Sequence, residues 1–108
     1  MVSKIMVWLA YDLGINGDYE GMYAWLAKHK AKECGDSIAL FSYEFNGNFI
    51  DAIKEDLQSA ITLDKKSRIY IIRSVDGKIK ARFIFGSRRV APWAGFATVD
   101  DQTEDTDE

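Results

Sequence analysis

Four side chains with oxygen donors, Asp12, Asn16, Asp18 and Glu20, fall within the glycine-studded stretch YDLGINGDYEG at 11–21. Carboxylate and amide oxygens at such spacing are what a calcium loop uses, but the pattern fails that test. Counted from Asp12, the third position is Gly14, and the twelfth is Tyr23 where a bidentate Glu is required. A zinc set within one chain is excluded, because His29 and Cys34 are the only His and Cys and four ligands are needed. Neither a phosphate-cradling P-loop nor GxGxxG occurs. His29 and Cys34 read as a helix-face histidine and a small buried thiol rather than as a base and a nucleophile.

Asp12 keeps two readings. It ends the apolar run KIMVWLA at 4–10 and so sits at the C-terminal end of a strand, where ligands gather in open α/β sheets. One carboxylate is a poor metal site, but two Asp12 residues meeting across a symmetric homodimer would hold Mg²⁺ and activate water for phosphodiester attack. In the other reading Asp12 accepts backbone N–H bonds within the turn, as Asx-turn residues do. Asp18 is taken as a helix N-cap, with Glu20 near the positive helix end.

A second chemistry is electrostatic. Residues 1–64 hold five Lys/Arg against ten Asp/Glu, whereas residues 65–99 hold nine Lys/Arg against one Asp. Arg73, Lys80, Arg82, Arg88 and Arg89 form the basic group, and phosphate of a nucleic acid is its functional reading. The competing reading is a solvated sheet face whose charges prevent edge association. The segment DDQTEDTDE at 100–108 carries six carboxylates and no base, a composition that predicts disorder.

The elements that must position these groups follow from periodicity. Lys4–Ala10 is near-continuously apolar, which predicts a central strand buried on both faces. Tyr19, Met22, Trp25 and His29 recur at helical spacing. This helix either runs to Glu33, which propensity favours, or stops near His29 and leaves Ala31–Cys34 as a short edge strand. Ile38–Phe45 is a strand. Asn48 caps a second helix whose apolar face is Phe49, Ile50, Ile53, Leu57, Ala60 and Ile61. Ser67–Val75 and Lys78–Phe85 are strands joined by Asp76–Gly77, a two-residue hairpin signal. Its register pairs Val75 with Lys78, Arg73 with Lys80, Ile71 with Arg82 and Ile69 with Ile84. The side bearing Tyr70, Ile72, Ile79, Ala81, Phe83 and Phe85 is expected to be the core, leaving Arg73, Lys80 and Arg82 on an open face. Trp8 and Trp25 are assigned to packing. Trp93, beside Pro92 in an apparent arm at 86–99, is assigned to an interface.

This order gives an α+β fold, with a ferredoxin-like two-layer sandwich as the economical solution: two helices on one face of a mainly antiparallel sheet. One domain spans 1–99. No apolar run reaches the length a membrane helix needs, and one cysteine fits a reducing, cytoplasmic location.

The elements in order, with YD at 11–12, GDYEGMYAWL, GDSIALFSYEF, FIDAIKEDLQSAI and RIYIIR, resemble the small CRISPR adaptation subunit and its SinR-like relatives over roughly 4–75. The resemblance implies a ferredoxin-like homodimer that exchanges a C-terminal segment, here RRVAPWAGFATV. Some members are metal-dependent nucleases and others bind nucleic acid without catalysis; their first-strand aspartate maps onto Asp12. The function expected is therefore a nucleic-acid-binding homodimer, with Mg²⁺-dependent phosphodiesterase chemistry resting on paired Asp12. The alternative is a non-enzymatic protein-interaction or regulatory subunit.

Overall fold

Strand β1 (Ser3–Asp12) lies at the centre of a five-stranded antiparallel sheet. In chain order there follow α1 (Tyr19–Lys28), β2 (Lys32–Glu33), β3 (Ile38–Phe45), α2 (Phe49–Ala60), β4 (Arg68–Val75) and β5 (Lys78–Phe85). The spatial order is β2-β3-β1-β4-β5. The computed structural model describes residues 2–97, so the disorder expected at 100–108 and the last two residues of the 86–99 arm lie outside the described residues.

The core forms where the odd-numbered side chains of the central strands meet the helices. Val7 and Leu9 of β1, Phe41 and Tyr43 of β3, and Ile69 and Ile71 of β4 are buried with Met22 and Trp25 of α1 and Ile53 and Leu57 of α2. Trp25 meets Phe41 edge-on at 5.3 Å and Phe49 meets Tyr43 at 6.0 Å, so both helices cover the same sheet face. β1 is central as its apolar run implies, but among the described residues only this face is covered. Its even-numbered residues Met6, Trp8 and Ala10 remain partly exposed, which corrects both the expectation of burial on two faces and the assignment of Trp8 to packing.

The covered face of β4 and β5 is also the reverse of the one anticipated. Pairing with β1 places Ile71 opposite Leu9 and Arg73 opposite Val7, and it is Ile69 and Ile71 that are fully buried. Tyr70, Ile72, Ile79 and Phe83 therefore lie on the open face, and Arg73, Lys80 and Arg82 on the helix-covered side, although Ala81 is buried and Phe85 packs against the core as expected. The hairpin register holds from Val75↔Lys78 to Tyr70↔Phe83. A bulge then intervenes, so that Ile69 pairs with Phe85 and not with Ile84. The extra residue, Ile84, is drawn into the core.

Where α1 stops is fixed by its C-terminus. Lys30 adopts a left-handed conformation (φ 55°). The Lys30 N–H donates to the Ala27 carbonyl, and that of Ala31 to the Leu26 carbonyl, each at 3.0 Å. This is the paired bonding of a Schellman motif, with lysine where glycine is usual. The chain then turns into β2, so the shorter helix and the edge strand are what forms. A lysine in this region costs about 1 kcal/mol relative to glycine, less the chain entropy glycine adds when unfolded. Lys30→Gly is expected to raise the thermal midpoint by a few degrees; a lower midpoint in a melting curve would refute this account of the helix end.

At the other end of α1, Asp18 accepts from the Gly21 N–H at 2.8 Å and from the Thr62 N–H at 2.9 Å. It thus caps α1 and ties it to the chain leaving α2. Bonding to Thr62 and then Gly21 holds its carboxyl below the usual range. Asn48 caps α2 through the Asp51 N–H.

Candidate functional site

Asp12 closes β1 directly opposite Arg68, the first residue of β4. The Arg68 guanidinium donates to Asp12 Oδ2 from Nη2 at 2.8 Å and from Nε at 3.3 Å. The Gly14 N–H donates to the other oxygen at 3.3 Å, closing the turn, and Arg89 Nη1 stands 3.9 Å from Oδ2. The Arg68 hydrogen bond, with the Gly14 bond and the two guanidinium charges behind it, holds the Asp12 carboxyl below its ordinary range against the opposing effect of burial. Asp12 is thus an ionised acceptor already engaged by two donors. A cation at Oδ2 would compete with Arg68. Among the described residues, no three His, Cys, Asp or Glu side chains lie close enough to share a metal ion.

The turn that carries Asp12 owes its shape to packing. Leu13 is fully buried, Gly14 takes φ 76°, and the Tyr19 hydroxyl donates back to the Gly14 carbonyl at 2.6 Å. The partners of the Asp12 carboxylate are Arg68, Gly14 and Arg89, not Asn16 or Glu20.

Beside Asp12 the open sheet face holds a recess of about 630 Å³. Tyr70 and Phe83 form its aromatic wall, edge to face at 4.7 Å. The Arg88 guanidinium lies over both rings, at 5.8 and 5.5 Å, an arrangement favoured by the ring quadrupoles. Away from this end the face is mostly apolar. Trp8 lies between Leu40 and Ile72 in register, with Met6 47 % and Ile79 56 % exposed. Among the described residues, no helix covers this face. The arm beyond β5 is equally uncovered, with Val90 87 %, Trp93 74 % and Phe96 86 % exposed.

The five basic residues anticipated as one group are divided by the sheet. Arg88 and Arg89 stand with Arg68 at the Asp12 end. Arg73, Lys80 and Arg82 lie on the helix side, where the Arg73 guanidinium sits 4.7 Å over the Phe49 ring and Arg82 Nε donates to the Phe83 carbonyl at 3.4 Å. Arg73 does face Lys80 across the hairpin. The Phe49 ring offsets part of that like-charge cost.

A second cationic cluster has no counterpart in the sequence reading. Lys4, Lys28, Lys30 and Lys32 line a recess of about 610 Å³ at the outer edge of β3. Its signal was the spacing Lys28, Lys30, Lys32, which becomes one-sided only once α1 is stopped at His29. His29 itself is structural. Its Nδ1 meets the Trp25 carbonyl at 2.8 Å and its ring packs on Trp25 at 4.1 Å. Nearby, the half-buried Asp56 accepts from the Tyr43 hydroxyl at 3.0 Å. Burial first, then that bond, pushes the Tyr43 hydroxyl well above its ordinary value. Cys34 is exposed, contrary to the buried thiol expected, because it follows a two-residue edge strand and not a helix.

No protein-family model, curated protein or solved structure matches the chain. Among the described residues, no helix is long and apolar enough to cross a membrane.

Proposed function

We propose that the chain is a ferredoxin-like homodimer that binds nucleic acid and does not cleave it. One observation carries the reading: a single side of the molecule joins an uncovered apolar sheet face to a guanidinium-rich end built from Arg68, Arg88 and Arg89. An apolar face of this kind with a charged end is how interaction surfaces are made. Supporting the ferredoxin-like assignment, β1-α1-β2-β3-α2-β4 places its strands in the order 2-3-1-4, with β5 added outside β4. In this reading the apolar centre and the arm join two copies, and each copy offers its guanidinium groups to phosphate.

Binding without cleavage follows from Asp12. Its carboxylate orders Arg68 and the β1–α1 turn, and Mg²⁺-assisted attack would first have to displace the guanidinium.

The test is fluorescence anisotropy of a labelled 20-nucleotide single strand and the matching duplex, titrated with the full chain at several salt concentrations. Expected is binding whose log–log salt slope reports about two or more phosphate contacts, falling by about one contact for Arg89→Ala. Absence of salt-sensitive binding would sink the nucleic-acid assignment and favour a protein-interaction subunit. Mg²⁺-dependent cleavage abolished in Asp12→Asn would overturn the non-catalytic part.

A further inference from the structure

Strand β3 is longer than the edge strand that covers it. β2 pairs only with Ala39 and Leu40, while β3 continues to Phe45. The chain cannot extend β2 further back, because Lys30 turns left-handed to meet the end of α1. The parity of the edge is fixed by the Cys34 N–H, which donates to the Ile38 carbonyl at 3.1 Å. Main-chain groups of an antiparallel strand point alternately to its two neighbours. Ile38 and Leu40 therefore face β2, and Ser42 and Glu44 direct their N–H and C=O groups to the same side. There, among the described residues, no strand stands opposite them.

This bare edge opens into the 610 Å³ recess, which wraps the edge of β3 and is lined by Met6 and Leu40 of the open face, by Phe41 of the covered face, and by Lys4, Lys28, Lys30 and Lys32. Glu44 is the one carboxylate lining it, and it lies across the β1–β3 pair from Lys4. Two features coincide. Donors and acceptors spaced two residues apart along an edge match a peptide main chain, as in strand addition. Four ammonium groups around them select carboxylates over bases.

We infer that this recess takes an extended acidic peptide as an added strand beside Ser42 and Glu44. The sequence itself contains a segment of that chemistry, DDQTEDTDE, with six carboxylates and no base. The occupant is thus of the kind that residues 100–108 represent, held by main-chain pairing and by lysine–carboxylate attraction. A polynucleotide would satisfy the lysines and leave the strand edge unpaired. The inference does not depend on nucleic-acid binding at the opposite end of the sheet.

A fluorescein-labelled peptide of the sequence TVDDQTEDTDE tests it. The protein is the full chain carrying Asp100→Asn, Asp101→Asn, Glu104→Gln, Asp105→Asn, Asp107→Asn and Glu108→Gln, so that its own segment does not compete. Expected is saturable binding that weakens about tenfold or more between low and physiological salt and by a similar factor in Lys28→Glu/Lys32→Glu. Both lysines are exposed, so an unchanged melting curve separates lost binding from lost folding. In the complex, hydrogen exchange at the Ser42 and Glu44 amides should slow about tenfold or more, as pairing requires. The inference is overturned by no saturable binding, by affinity indifferent to the lysine reversals, or by binding without protection at Ser42 and Glu44. It is equally overturned if an oligothymidine of similar length displaces the peptide while itself leaving those two amides exposed.

Discussion

Gly17→Ala is expected to leave the chain largely unfolded well below the melting temperature of the parent protein. A Cβ built on Gly17 would stand 2.3 Å from Leu13 Cβ and 2.4 Å from the Leu13 carbonyl oxygen. The second contact is with backbone, which has no rotamer to yield. Leu13 is fully buried, so relief requires the turn to shift and Leu13 to leave the core. Strain of about 1–3 kcal/mol then adds to a lost burial of about 1.5–3 kcal/mol. Against a total of roughly 5–15 kcal/mol for a domain, that is a drop of some 15–30 °C in the thermal midpoint at this size. Gly14 supplies the control. It takes φ 76°, yet nothing lies within 4 Å of a Cβ there, so Gly14→Asn should cost only a few degrees, since Asn tolerates this region. Equal midpoints for the two variants, followed by circular dichroism, would refute the close approach of Gly17 to Leu13. The stretch that looks most like a cation loop is thus held in shape by a core leucine and a glycine that must touch it.

What the sequence made legible was whatever a local rule decides. Asp76–Gly77 specifies its own turn, with φ 51° and 78°, and Asn48, Asp18 and the Phe49–Ile53–Leu57 stripe each act within a few residues. What stayed hidden depends on partners distant in the chain. β4 and β5 carry apolar side chains on both faces, and only the pairing of Ile71 with Leu9 decides which face the helices take. Lys30 holds a position where glycine would have announced the helix end. Residues 1–64 are acidic in sum, yet the fold gathers Lys4, Lys28, Lys30 and Lys32 at one edge and sends Glu20, Asp51 and Glu55 elsewhere. Asp12 was singled out by its place at a strand end; its partner Arg68, 56 residues away, could not be, because opposite ends of neighbouring strands carry no mark of one another.

Trp93→Asp with Phe96→Asp is the change with the largest expected effect on assembly. In one copy both side chains are exposed, and the apolar face around Trp8, Ile72 and Ile79 is partly so; two such surfaces in one chain are each satisfied if the arm of one copy lies on the face of another. Large aromatics that fill such a surface are commonly worth about 2 kcal/mol or more each, which is roughly 30-fold in dissociation constant apiece. A carboxylate in their place adds an unpaired charge to an apolar contact. A dimer held at micromolar strength would then become monomeric across the accessible concentration range. Neither residue belongs to the core cluster, so the melting temperature of the monomer should be unchanged, which separates loss of assembly from loss of fold. Light scattering reads the result directly. Twice the chain mass for the parent and one chain mass for the variant, at equal thermal stability, is the expected pair of values. A dimer in both would move the interface off the arm and onto the sheet face alone, and a monomeric parent would remove the homodimer altogether.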